Sequence, residues 1–130
     1  MPQYIDGFVI PLPKDKISEY RKIAEEACSV WMEHGALDYR ECIAEDTEAK
    51  GTVSFPQLAG AKPHETVVFA WIVYESREHR DAVNAKVMAD PRMQKMMAEG
   101  PGPFECHRMA CGGFTTIVEP AQARSLAASR

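Results

Sequence analysis

Two carboxylates stand where carboxylates are costly. Asp6 lies inside YIDGFVIPL, and Glu41 lies inside DYRECI, each among apolar neighbours. Side chains alternate along a strand, so Asp6 shares a face with Tyr4, Phe8 and Ile10, and Glu41 shares one with Tyr39. An unpaired carboxylate resists burial. Either a cation such as Arg108 or Arg40 meets Asp6 and fixes the strand register, or Asp6 sits in a cavity as a base or ligand anchor, its pKa raised by burial. Glu41 carries the same two alternatives. His79 and Arg80 open the segment after a long apolar run, where a cavity rim would fall. Asp6, Glu41 and His79 are therefore the candidate catalytic groups for acid–base work. Tyr39, Phe69, Trp71 and Arg108 are the candidate ligand contacts, since small-molecule sites combine aromatic walls with a few polar groups. Nothing in their spacing demands a reaction.

The cluster CHRMAC, Cys106 to Cys111, invites a metal. His107 and Cys111 would share a strand face, yet four residues of strand separate their Cα atoms by ~13 Å. Zinc needs both donors at ~2.0–2.3 Å. Cys106 and His107 point to opposite faces, and the chain has no C-x-x-C and no H-x-x-x-H. No metal and no cofactor is expected. Phosphate-cradling and nucleophile-elbow patterns are absent as well.

The elements that must position these residues follow from hydrophobic period. Tyr4 to Leu12 alternates as a strand closed by Pro11 and Pro13. Lys16 to His34 changes to a helical period, with Ile17, Tyr20, Ala24, Ala27, Cys28 and Trp31 on one stripe. Asp15 suits its N-cap and Gly35 its C-terminal cap. Ala36 to Glu45 returns to a strand, and about twenty residues without period follow. Thr66 to Tyr74 is the next strand. Ser76 caps a helix buried through Val83 and Val87, and Asp90-Pro91 restarts the chain as a short helix rich in Met. GPGP at 100–103 breaks it. His107 to Val118 is a last strand, with a bulge or close approach expected at Gly112 and Gly113.

This order, strand, helix, strand, strand, helix, strand, is that of a ferredoxin-like βαββαβ unit, an α+β fold with a four-stranded antiparallel sheet and both helices on one face. One strand resists that picture. VVFAWIVY, Val67 to Tyr74, is apolar on both faces. Leaving either set in water forfeits ~1.5–3 kcal/mol per large side chain. An identical sheet from a second chain is the natural cover and makes a dimeric α/β barrel. The competing cover is the irregular 46–65 segment folded across the sheet.

The remaining composition is ordinary. The 130 residues suit a single domain over 1–119 followed by a tail at 120–130, with 45% apolar and 26% charged residues. A net charge of −4, with basic residues interleaved among acidic ones, argues against nucleic acid. No apolar run reaches the ~18 residues of a membrane span, and MPQYIDGFVIPLP lacks the features of a signal peptide. A cytoplasmic protein with reduced cysteines is expected.

Four blocks carry a resemblance: YIDGFVIPLP, GALDYRECIAED, SFPQLAGAKPHETVVFAWIVYESREHRDAVNAKVMADPRM and PFECHRMACGGF. In this order, over roughly residues 4 to 119, they resemble the YbaA-like family of small bacterial proteins, a domain of unknown function. The resemblance implies the same dimeric α/β-barrel fold and no established activity. An RNA-related label on some relatives finds no support in the acidic composition. In the last block relatives usually read FDGKRMIYGGF, so Cys106, His107 and Cys111 stand here for Gly, Lys and Tyr. The expected function is binding of a small molecule in the barrel cavity of a homodimer. The alternative is a cofactor-independent monooxygenase or isomerase using Asp6, Glu41 or His79 on a small aromatic substrate stacked against Trp71.

Overall fold

Alternation and proline spacing in the first segment translate into a ten-residue strand, β1 (Tyr4–Pro13), in the computed structural model, which describes residues 2–100 and 102–120. It is followed by α1 (Ile17–Glu33), β2 (Asp38–Ile43), α2 (Phe55–Ala59), β3 (Glu65–Tyr74), α3 (Arg77–Ala89), α4 (Pro91–Ala98) and β4 (Ala110–Thr115). All strand pairs are antiparallel and the spatial order is β2-β3-β1-β4. This is the ferredoxin-like arrangement, with each helical crossover passing over one intervening strand. The tail from residue 121 lies outside the described residues.

The helices end where the sequence places their caps. Gly35, at φ 112°, lets the Gly35 N–H reach the Met32 carbonyl and the Ala36 N–H reach the Trp31 carbonyl, at 3.2 and 3.1 Å. That pair of bonds is the Schellman closure of α1. Ser76 accepts from the His79 N–H at 3.0 Å to open α3, and Asp90 accepts from the Arg92 N–H at 2.8 Å to open α4. Asp15 does not cap α1. Lys14 donates its backbone N–H to the His64 carbonyl at 2.9 Å, and residues 14–16 tighten into a 3₁₀ turn, leaving Lys16 at the cap position without a side-chain bond.

Two further expectations change. The 46–65 stretch is not wholly irregular: Ser54 caps α2 through the Gln57 N–H, Pro56 sits in its first turn, and Gly60 ends it at φ 65°. His107 is not in a strand, because Cys106–Arg108 form a 3₁₀ turn and β4 begins at Ala110. Of the two alternatives expected at Gly112 and Gly113, the pairing from Tyr4 with Thr115 to Val9 with Ala110 runs in step without a bulge, and the close approach is found at Gly113, against the Tyr4 side chain.

Register sorts the sheet into two faces, because directly opposed residues point the same way. Val68, Ala70, Ile72 and Tyr74 of β3 face α1 and α3 and join Ile10, Leu12, Val30, Val83 and Val87 in the core. Val67, Phe69, Trp71 and Val73 face away, in line with Pro11, Val9, Gly7 and Ile5 of β1. α2 crosses one end of this second face: Val67 is 2% exposed, and Phe55 meets Phe69 edge-on at 5.6 Å. The rest stays open, with Phe69 at 44% and Phe114 at 63% exposure.

Candidate functional site

Polar chemistry on the helix-covered face collects at Glu41. β2 sets this residue opposite Ala70 of β3, and a small neighbour leaves space for the carboxylate. Tyr20 of α1 donates its phenol O–H to Glu41 Oε1. Tyr39, two residues earlier on the same face of β2, donates to Oε2 at 2.5 Å. Burial, reinforced by the hydrogen bond and charge of Glu41, lifts both phenols well above the ordinary tyrosine range. Both are therefore protonated donors, and the carboxylate is their acceptor.

A cleft surrounds this group. Toward α4 lies a chamber of about 260 Å³ walled by Phe8, Trp31, Met93, Met96, Phe104 and Met109 among others. Toward the start of α1 lies a second of about 410 Å³ that reaches Leu12, Ile17, Arg21, Cys28 and Ile43. Tyr20, Ala24, Tyr39 and Glu41 line both. Phe104 meets Tyr20 edge-on at 5.6 Å, and Trp31 lies 6.0 Å from Tyr39. Burial also raises the Cys28 thiol. The arrangement is a mostly apolar slot with one doubly hydrogen-bonded carboxylate at its waist.

The other expected site residues lie elsewhere. Asp6 is on the same face but lines neither chamber. Its carboxylate meets Arg80 Nη1 at 2.7 Å, and Arg80 in turn lies over the Tyr4 ring at 5.0 Å. Burial raises the Asp6 pKa, while the charge and hydrogen bond of Arg80 oppose the rise. Neither expected partner reaches it. Arg40 pairs with Asp38 at 3.2 Å. Arg108, two residues before β4, falls at the far end of β1, where it grips both Glu65 oxygens at 2.7 and 2.8 Å and the Gly60 carbonyl at 2.8 Å. That grip holds the Glu65 pKa down to about 2.

His79 is a helix-start residue: its Nδ1 accepts the Glu75 backbone N–H at 2.9 Å, and its ring packs edge-on against Tyr74 at 5.9 Å. Phe69 and Trp71 are 5.6 Å apart on the opposite face of the sheet. A substrate stacked on Trp71 is therefore out of reach of Asp6, Glu41 and His79 together. Of the seven candidates, Glu41 and Tyr39 line these two chambers and the other five line neither. Tyr20 completes their cluster, although its place on the α1 stripe marks it as core. The signal that could have found it is the phenol tip facing a strand that carries a buried acid. Among the described residues no group of three or more His, Cys, Asp or Glu is placed to hold a metal ion.

Comparison with known proteins agrees with this fold. A family described as "Protein of unknown function (DUF1428)" matches residues 3–106. The chain is 42% identical over 117 residues to the uncharacterized protein YbaA of Escherichia coli K12, covering 90% of this chain and 98% of YbaA. The same figures hold for YbaA of Shigella flexneri. Among solved structures, a dimeric ferredoxin-like protein from an uncultured marine organism aligns with a TM-score of 0.59 at 11% identity, over 92% of this chain and 100% of the other. A NIPSNAP family protein of unknown function from Agrobacterium tumefaciens aligns with a TM-score of 0.56 at 15% identity, over 88% of each chain.

Proposed function

This chain belongs to the DUF1428 family of proteins of unknown function, and on that premise we propose that it binds a small, largely apolar molecule between α1 and the sheet. Glu41 is the polar anchor. The observation that carries this reading is a carboxylate fixed by two phenols inside an otherwise apolar cleft. The larger chamber, about 410 Å³, is within the usual size of ligand sites. Fixed polar groups in apolar walls orient a ligand without the entropy loss of ordering them on binding. The ligand space is thus between helix and sheet, not between two sheets.

Ala24 lines both chambers, so Ala24→Phe should fill the cleft. Native mass spectrometry of freshly purified protein, with a fragment screen by protein-observed NMR, tests the reading. Bound fragments should shift amides of α1 and β2 in the wild type and lose these shifts in Ala24→Phe. Shifts confined to the open sheet face would defeat it. An acid–base role remains attached only to Glu41, because Asp6 and His79 lie outside the cleft.

We also infer a homodimer through the open sheet face. Ile5, Val9, Phe69, Trp71, Val73 and Phe114 lie on it, and α2 covers one end only. A second copy would remove this surface from water. The description of the marine neighbour as dimeric supports it. Light scattering should return twice the 14.5 kDa of one chain, and a single-chain mass at micromolar concentration would overturn it.

A further inference from the structure

We propose that the ligand held by Glu41 is a small organic cation, an ammonium group on an aromatic or branched apolar body. This rests on the cleft being a ligand site, and it adds the ligand's charge.

Three observations point to a cation. First, the partners of the Glu41 carboxylate are the phenols of Tyr20 and Tyr39, which donate hydrogen bonds but bring no positive charge. Among the described residues no lysine or arginine lines the chamber toward α4. Second, Arg21, the one lysine or arginine among the described residues that line the larger chamber, has a side chain 80% exposed and pairs with Glu25 at 3.2 Å. It is directed to solvent and its neighbour, not to Glu41. A half-buried carboxylate without a counter-ion favours a ligand that supplies one. Third, the walls beside the carboxylate are aromatic: Tyr20, Tyr39, Trp31, Phe104 and Phe8. Ring faces attract ammonium groups through their quadrupole, and Met93, Met96 and Met109 offer adaptable contact for the apolar body.

The chamber rejects anions for the same reasons. An anion would meet the Glu41 charge with no cation to offset it, at short range and partly out of water. A neutral alcohol keeps a hydrogen bond to Glu41 and loses the charge attraction.

The test compares three probes of nearly one shape on the wild-type protein: 2-phenylethylammonium, 2-phenylethanol and phenylacetate, followed by calorimetry and protein-observed NMR at neutral pH. The ammonium probe should bind on the order of tenfold more tightly than the alcohol, and phenylacetate should not shift the cleft amides. Glu41→Gln keeps the side chain's shape and should bring the ammonium probe down to the level of the alcohol. Equal binding of alcohol and ammonium, or preference for the anion, overturns the cation assignment while the cleft stands as a ligand site. Failure of all three probes to shift the cleft amides overturns both. Because the wild-type comparison decides alone, the outcome does not depend on the variant folding.

Discussion

Tyr4 and Gly113 meet so closely that a Cβ built on Gly113 would lie 2.1 Å from the Tyr4 hydroxyl and 2.6 Å from its ring. The glycine therefore lets Tyr4 lie across β4 and cover Arg80, which neutralises Asp6. Gly113→Ala should cost roughly 1–3 kcal/mol by overpacking. The loss should shrink in a Tyr4→Ala background, a coupling that a double-mutant cycle of denaturation midpoints measures. Arg80→Met leaves the Asp6 carboxylate buried without a counter-charge, with the Tyr74 phenol still beside it, a loss of roughly 3–5 kcal/mol. The sign with pH is specific. The folded-state pKa of Asp6 is raised, so its favourable contribution is fullest below the ordinary aspartate range and is lost as pH rises through the folded pKa. Removing Arg80 pushes that pKa further up. The deficit of Arg80→Met should thus be smaller near pH 4 than at pH 7 in urea melts. That Asp6 needed a partner was legible from its apolar neighbours. Which arginine supplied it was not, because Arg80 is 74 residues away and reaches Asp6 only once α3 packs beneath the sheet.

Elements in this chain are pinned by charged clamps at their ends. Arg108 ties the 3₁₀ turn before β4 to the start of β3 and the end of α2. Asp90 caps α4, takes two further bonds from the Arg92 side chain and lies 2.8 Å from His34 Nε2, so it joins α4 to the end of α1. Asparagine is an equally good N-cap. Asp90→Asn should therefore retain the cap and lose the charged bonds, lowering the thermal midpoint at neutral pH. The depressed pKa of Glu65 predicts an acid limb. Its stabilisation is complete above pH 4.5 and is lost as pH falls toward about 2. The bonds from Arg92 and His34 hold Asp90 well below its ordinary range and act in the same direction. Stability measured from pH 6 to pH 2 should fall less steeply in Glu65→Gln than in the wild type. Caps that depend on their own neighbours, Ser76, Asp90 and Gly35, were readable in the chain. The cap expected at Asp15 does not form: the Lys14 N–H is held by a distant carbonyl, that of His64, and residues 14–16 tighten into a 3₁₀ turn. The Ser54-x-Pro56 start and Gly60 stop of α2 were present in the sequence, but five residues are too few to show a period.

At the scale of the molecule, one sheet offers two unlike faces. Helices cover one and leave the Glu41 cleft; the other presents Phe69 and Phe114 in the open, with Trp71 half-buried beside Phe69. If a second copy covers that face, Phe114→Asp should shift the protein to single-chain mass in light scattering while its circular dichroism stays native. Retention of the double mass would place the interface elsewhere. The amino-acid sequence by itself determined the order of the four strands and of the helices other than α2, the antiparallel ferredoxin-like sheet and the apolar character of both faces of β3. These follow from local period, proline and glycine placement, which act between residues close in the chain. Only the tertiary structure decided which acid faces a cavity. Asp6 and Glu41 look alike as strand residues among apolar neighbours. Asp6 is silenced by Arg80 from α3, while Glu41 opens onto the cleft held by Tyr20 from α1. That difference arises from helix packing across the sheet, a contact between segments that no local pattern encodes.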